Sequence, residues 1–280
     1  MLVNMIEILN AAKENKYAVA QFNINNLEWT RFILEECNKL NVPVILGVSE
    51  GALKYMGGYE TVANLVKNLI KYLGVAIPVS IHLDHGSSYE SCKDAIDAGF
   101  TSVMIDASKY ELEENIRITK SVVEYAHDKN ISVEAEIGHV GENNNGTISE
   151  IKYAEVDDCI RFCNETNIDF LAPALGSVHG PYIGEPNLNF VRMKEIRSAC
   201  NIPLVLHGGS GIYDEQIKEA INCGICKINI NTELQQVWAS GVREYLKENI
   251  NIYDPRKIIK AGENNIKKII DEKISLLGTK

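Results

Sequence analysis

Short runs rich in Val, Ile, Leu and Ala alternate with longer helical patterns along the whole chain, and this alternation limits the available folds most strongly. The runs contain few polar interruptions, as expected of parallel strands that are buried on both faces. Eight such runs predict an α/β protein with a closed (β/α)8 TIM barrel, which takes about 250 residues. They begin at Tyr17, Val42, Ile77, Ser102, Ser132, Phe170, Pro203 and Cys226.

A doubly wound open sheet is the alternative fold for this alternation. It is disfavoured because no glycine-rich dinucleotide fingerprint follows the first run. The sequence therefore predicts a single barrel domain over residues 1–280. Residues from about 249 to 280 exceed what a barrel needs to close, and we expect this C-terminal helical extension to lie at a subunit interface.

The composition disfavours several classes of partner. The net charge is −10, with acidic residues spread along the chain, which argues against nucleic acid and anionic membranes. No apolar run reaches the roughly 18 residues of a membrane span, and no secretory signal is visible. The seven scattered cysteines fit reduced thiols better than a disulfide framework. We therefore expect a cytoplasmic protein.

Three histidines lie at the ends of predicted strands, where a barrel of this kind forms its active site. His85, His179 and His207 follow the third, sixth and seventh runs, and a glycine comes directly after each of them. One histidine at a strand end is more often structural, but three on one rim favour a metal. Three neutral imidazoles with an open position are typical of a catalytic zinc site.

Two further features of the rim indicate acid/base chemistry and phosphate binding. Asp84 precedes a candidate ligand and could transfer protons beside the metal, although an Asp-His pair also fits a supporting carboxylate. Residues 207–211 (HGGSG) and 229–232 (NINT) resemble a phosphate cradle, because glycines expose backbone N–H groups and the serine and threonine add hydroxyl donors. Barrels often bind phosphate after the seventh and eighth strands.

Several segments resemble class II fructose-bisphosphate aldolases, and the similarity extends over almost the whole chain from Tyr17 onward. They include FNINNLEW, IHLDHGSSYESC, LAPALGSVHGPYIGEPNL, LVLHGGSGI and KININTE. The resemblance implies a metal-dependent aldolase of glycolysis and gluconeogenesis that reversibly cleaves fructose 1,6-bisphosphate to dihydroxyacetone phosphate and glyceraldehyde 3-phosphate. Tagatose-bisphosphate aldolases share the architecture, but residues 84–88 are more similar to the fructose branch.

The resemblance also implies roles for residues around the metal. The three rim histidines match the ligands of the catalytic Zn²⁺, and Asp84 matches the acid/base that acts on the C4 hydroxyl. Asp106 and Glu136 match positions that can hold a second or alternate divalent metal. Asn229 could donate a hydrogen bond to the oxyanion that develops during cleavage. Backbone groups of the phosphate loops match a site for a monovalent cation, Na⁺ or K⁺.

The remaining matches concern the phosphosugar substrate. Ser49 matches a contact to the aldehyde half. Arg256 matches an arginine that reaches the other phosphate from a neighbouring subunit, which implies a homodimer or homotetramer. The subsite for the phosphate of dihydroxyacetone phosphate comprises Gly180, Gly208, Gly209, Ser210, Asn229, Ile230, Asn231 and Thr232.

One loop departs from the family pattern. After the fifth strand the family has a mobile loop similar to Gly-Gly-Gln-Glu-Asp, whose glutamate exchanges the C1 proton of dihydroxyacetone phosphate. Here residues 141–146 read GENNNG, and asparagine cannot act as a general base at neutral pH. Either Glu142 serves as the base, or turnover is reduced, or the substrate differs.

Other functions stay open at the level of the residues. A hydrolase or sugar isomerase could use the same histidines to activate water, and a non-catalytic phosphosugar-binding relative would explain the altered loop. The two phosphate features, at residues 208–210 and Arg256, favour the aldolase. A Schiff-base aldolase would need a lysine at the rim. We place Lys227 near the amino-terminal end of its strand, so that Lys109 is the one lysine close to a rim.

Overall fold

A computed structural model describes residues 1–144, 147–148, 151–182 and 184–280. Eight parallel strands close into a barrel in which each strand pairs with the next along the chain and the last returns to the first. This confirms the predicted (β/α)8 fold. The strands are β1 Val19–Asn23, β2 Val44–Ser49, β3 Val79–Gly86, β4 Ser102–Ile105, β5 Ser132–Ile137, β6 Phe170–Pro173, β7 Leu204–Leu206 and β8 Ile225–Ile230.

Helices surround the barrel and cover its amino-terminal opening. Leu9 on the first helix packs with Phe170 and Val205 in a buried cluster, so this helix closes the end of the barrel opposite the rim. The helices are α1 Ile6–Asn15, α2 Leu27–Leu40, α3 Glu50–Met56, α4 Tyr59–Leu73, α5 Tyr89–Ala98, α6 Leu112–His127, α7 Val156–Thr166, α8 Phe190–Cys200, α9 Asp214–Asn222, α10 Thr232–Glu248, α11 Pro255–Lys260 and α12 Glu263–Leu277.

Short polar side chains start the helices that follow three of the strands at the rim. The side chains of Asn26, Ser49 and Ser88 accept hydrogen bonds from the first turns of α2, α3 and α5. Such caps pair backbone N–H groups that a helix start otherwise leaves without a partner, and each contributes about 1 kcal/mol. They fix the position at which the chain leaves each strand, and therefore the geometry of the rim.

Within the described ranges, three short strands lie outside the barrel: Gly141–Asn144, Thr147–Ile148 and Val178–His179. The first pairs antiparallel with the second and parallel with the third, with Glu142 in register with His179. We expected residues 141–146 to form a loop, and this expectation was wrong for residues 141–144, because their backbone pairs with the segment that carries His179. Asn145 and Gly146 lie outside the described residues.

The C-terminal extension divides into a packed part and an exposed part. Ile266, Ile270 and Ile274 of α12 are buried, and this helix packs against α2 and α10 as part of the outer layer. Ile250 and Tyr253 are 83% and 90% exposed. The first part of the extension therefore carries exposed apolar side chains that the barrel does not cover. Within the described part of the chain, no helix is long and apolar enough to cross a membrane.

Candidate active site

The end of β3 carries two adjacent residues that both face the rim. The pairing of β3 with β4 shifts register between Leu83 and Gly86, and His85 has φ 53°. Such a left-handed conformation costs a non-glycine residue about 1–2 kcal/mol. In a regular strand, neighbouring side chains point to opposite faces. The irregularity instead allows Asp84 and His85 to reach the same site.

The structure brings the three rim histidines together. Nε2 of His85 lies 2.8 Å from Nδ1 of His207. The ring centroid of His179 lies 4.9 Å from that of His85 and 5.7 Å from that of His207. One nitrogen from each ring lies within 4.8 Å of the other two. Strand β3, the residue that follows β7 and the short outer strand thus contribute one imidazole each to a common point.

The protonation chemistry of this cluster fits a divalent metal. Burial lowers the pKa of His179 to about 3 and also lowers that of His207, which leaves both rings neutral. Nε2 of His179 is buried without a hydrogen-bond partner among the described residues. Burial alone would lower the pKa of His85, but its hydrogen bond to Asp106 raises it to about 10, so the position favours positive charge. Two neutral imidazoles beside a position that favours positive charge suit a divalent cation such as zinc.

Asp106 and Glu136 form a second cluster with the same His85. Nδ1 of His85 lies 2.8 Å from Oδ2 of Asp106, on the side of the ring opposite His207. Burial and the neighbouring Asp106 raise the pKa of Glu136 to about 8, and its Oε2 is buried with no partner in the described ranges. The two candidate metal positions therefore share one imidazole, and Asp106 orients that ring through its other nitrogen.

Asp84 lies at the centre of the rim and is ionised. Its Oδ2 accepts a hydrogen bond from Nδ2 of Asn23 at 2.7 Å, and its Oδ1 accepts one from Nδ2 of Asn229 at 3.2 Å. Burial alone would raise the pKa of Asp84, but the charges of His85 and Lys227 hold it far below its usual range. Asn23 was not predicted as a site residue, and its place at the end of the first run was the available signal.

A cavity of about 100 Å³ opens beside Asp84. Gly208 has φ 65°, and a Cβ there would lie 2.2 Å from the carbonyl oxygen of Val178. Oγ of Ser210 accepts from the backbone N–H groups at the start of α10, whose N-terminus favours negative charge. The lining residues are Asn23, Asp84, His179, Gly180, Gly208, Ser210, Asn229, Asn231 and Thr232.

Four residues expected to bind substrate do not line this cavity. Gly209 donates its N–H to the backbone of β8, and the side chain of Ile230 is buried in the core. The hydroxyl of Ser49 accepts a hydrogen bond at the start of α3. Arg256 forms a two-point ion pair with Asp254, and its side chain is 88% exposed. The side chain of Glu142 lies outside the described part of the structure.

Metal-dependent enzymes built on (β/α)8 barrels place their reacting groups at this rim, and the fold and the histidine cluster together put the chain in that class. The family model of class-II fructose-bisphosphate aldolases matches residues 3–280. The chain therefore belongs to the class-II fructose-bisphosphate aldolase family.

Individual relatives agree with this assignment. The chain is 56% identical to a fructose-bisphosphate aldolase of Geobacillus stearothermophilus. The match extends over 279 residues and covers 99% of this chain and 97% of that protein. One from Staphylococcus epidermidis is 54% identical, with 99% and 98% covered. The YdjI aldolase of Escherichia coli K12 superposes with a TM-score of 0.87 at 35% identity, with 100% and 98% covered. The fructose-bisphosphate aldolase of Campylobacter jejuni superposes with a TM-score of 0.84 at 24% identity, and the match covers 99% of this chain and 95% of that chain. At this identity the similarity supports the fold alone.

Proposed function

We propose that this chain reversibly cleaves fructose 1,6-bisphosphate into dihydroxyacetone phosphate and glyceraldehyde 3-phosphate. The observation that carries the proposal is the position of Asp84. This ionised carboxylate lies beside a cluster of three imidazoles and lines a cavity that also includes Gly208, Ser210 and Thr232. A hydrolase would use the same imidazoles, but family membership and this cavity favour a phosphosugar lyase.

The imidazoles of His85, His179 and His207 would hold Zn²⁺. When bound, the metal supplies Lewis-acid stabilisation of the negative charge that forms when the bond next to a ketone breaks. In this proposal, Asp106 and Glu136 provide a second or alternate divalent position. The raised pKa of Glu136 supports this, because a metal would favour its ionised form.

Asp84 would take the proton of the C4 hydroxyl during cleavage and return it during condensation. The two amide donors that fix its oxygens, Asn23 and Asn229, keep the carboxylate in one orientation for this transfer. Nδ2 of Asn229 carries a second hydrogen, which would stabilise the developing oxyanion.

The cavity beside the rim would bind the phosphate of dihydroxyacetone phosphate. Backbone N–H groups at Gly180, Gly208 and Thr232, together with the Ser210 hydroxyl, would supply its donors. Gly209 and Ile230 would support this loop from behind, and Ser49 would contact the aldehyde half after local rearrangement. A monovalent cation, Na⁺ or K⁺, beside the phosphate completes the proposed site.

The second phosphate would be bound by Arg256 of a neighbouring subunit in a homodimer or homotetramer. The exposed guanidinium and the exposed side chains of Ile250 and Tyr253 support an interface over the first part of the extension. Mixing inactive Arg256→Ala and Asp84→Asn proteins tests this arrangement. Activity that returns on mixing supports a shared site, and a monomer in analytical ultracentrifugation contradicts it.

The seven free cysteines support a cytoplasmic location.

The activity itself is tested by following triose phosphate release from fructose 1,6-bisphosphate and from tagatose 1,6-bisphosphate. We expect the higher kcat/KM with the fructose substrate, loss of activity with a chelator, and recovery on addition of Zn²⁺. A faster reaction with the tagatose substrate would reassign the ketose. No cleavage of either substrate by metal-replete protein would contradict the aldolase function.

A further inference from the structure

A fully buried ion pair crosses the interior of the barrel beneath the rim. Nζ of Lys227 on β8 lies 2.8 Å from Oε2 of Glu134 on β5, and neither side chain is exposed to solvent. Two strands, β6 and β7, separate β5 from β8 in the barrel wall, so the pair spans the interior rather than one strand pairing. Burying two charges costs several kcal/mol per ion before their attraction is counted, so such a pair is weak evidence for stability alone.

Each member of the pair also contacts one group of the proposed active site. Oε1 of Glu134 lies 2.9 Å from Nε2 of His207, and Nζ of Lys227 donates to Oδ1 of Asn229 at 2.9 Å. The pair therefore touches a candidate metal ligand at one end and the candidate oxyanion donor at the other. No sequence pattern indicates this arrangement, because nothing in the sequence places Glu134 and Lys227 together.

The chemistry of these contacts determines where the hydrogens lie. An ionised carboxylate only accepts hydrogen bonds, so Nε2 of His207 must carry the hydrogen and Nδ1 presents its lone pair to His85 and the metal position. An ammonium group only donates, so the oxygen of Asn229 faces Lys227 and its NH₂ group faces Asp84.

We propose that Glu134 and Lys227 act as a positioning pair, which selects the metal-binding tautomer of His207 and the donor orientation of the Asn229 amide. The pair does not touch substrate. The proposal rests on the function assigned above in treating His207 as a metal ligand and Asn229 as the oxyanion donor. It adds that both are oriented by a single ion pair inside the barrel.

The first test measures the tautomer in metal-free protein and therefore needs no activity. Long-range ¹⁵N–¹H spectra of histidine-labelled wild-type protein should show His207 with its hydrogen on Nε2. Replacing the pair by apolar side chains of similar size, in the double variant Glu134→Leu/Lys227→Met, removes both charges together and avoids leaving one buried alone. In this variant, His207 should show a mixture of tautomers.

The second test measures metal affinity and catalysis in the same double variant. Chelator competition should show Zn²⁺ binding weakened about 10- to 100-fold, as is typical when a group that orients a ligand is lost. With saturating metal, kcat should fall about 10-fold or more, as on removal of an oxyanion donor, while KM should change less than kcat because the other groups that line the phosphate cavity keep their places. The matched control is Glu219→Leu/Lys194→Met, which removes an exposed pair of the same residue types.

The outcomes separate this proposal from the proposed function. Two results would overturn the positioning pair. One is a wild-type protein in which His207 carries its hydrogen on Nδ1. The other is a double variant that melts cooperatively and keeps the wild-type tautomer and Zn²⁺ affinity. If the tautomer and the affinity change as expected but the wild-type protein cleaves neither ketose bisphosphate, the aldolase function fails and the positioning pair stands.

Discussion

The hydroxyl of Tyr182 donates a hydrogen bond to the carbonyl oxygen of Gly208 at 2.9 Å. The same hydroxyl accepts from the backbone N–H of Val178 at 3.1 Å. These two backbone partners directly adjoin His179 and His207, so one side chain links the segments that carry two of the three rim imidazoles. Burial raises the pKa of Tyr182 to about 12, which keeps this donor protonated at any ordinary pH.

Removing this hydroxyl should loosen the rim while leaving the ring in place. In Tyr182→Phe, two buried backbone groups lose their partner, at a cost of about 1–3 kcal/mol. We expect a lower Tm and a fall of about 10-fold in kcat/KM, because displacements of about 1 Å at a reacting centre are costly. Tyr72→Phe is the control, since Tyr72 is 81% exposed. Equal behaviour of the two variants would contradict a bridging role.

Removing one rim imidazole should remove metal and activity together. In His179→Ala, elemental analysis should show less than about one tenth of the wild-type zinc content, because a catalytic site uses three protein ligands. The control is His127→Ala, since His127 ends α6 at the opposite end of the barrel. Full metal content and activity in His179→Ala would rule this residue out as a ligand.

Glu142 should exchange the C1 proton of dihydroxyacetone phosphate if the altered segment of residues 141–146 retains a competent base. Its backbone pairs with that of His179, which places it at the rim. Glu142→Gln should then slow hydrogen–deuterium exchange at C1, measured by NMR, by about 10²- to 10⁴-fold, the usual contribution of general base catalysis. Zinc content serves as the control and should not change. Unaltered exchange would remove Glu142 from the mechanism.

Cys200 should be the cysteine that alkylating reagents modify first. A hydrogen bond from the thiol of Cys163 lowers the pKa of Cys200, whereas burial raises that of Cys223 to about 11. The thiolate is the reactive form, so the modification rate of Cys200 should rise at lower pH than that of Cys223. Peptide mass spectrometry after iodoacetamide treatment measures both rates in one sample. In Cys163→Ala, the rate at Cys200 should fall about 3- to 10-fold below pH 8.

Much of the fold was predictable because it depends on local patterns. Buried runs such as those of β2 and β5, separated by helical stripes, indicate parallel strands, and a barrel places their ends on one rim. The meeting of His85, His179 and His207 follows from this topology. The pairing of residues 141–144 with the segment of His179 did not follow, because their polar composition is that of a loop.

The sequence by itself determined the barrel, the rim and the residue types available for chemistry there, since these depend on periodicity and on the order of the elements. Only the tertiary structure decided which groups orient which. Sequence patterns place Lys227 near the amino-terminal end of its strand and assign it no role, yet its ammonium group reaches Asn229 and Glu134. Closure of the barrel and the register of its strands create such contacts across the interior, and neither is encoded in any local stretch of residues.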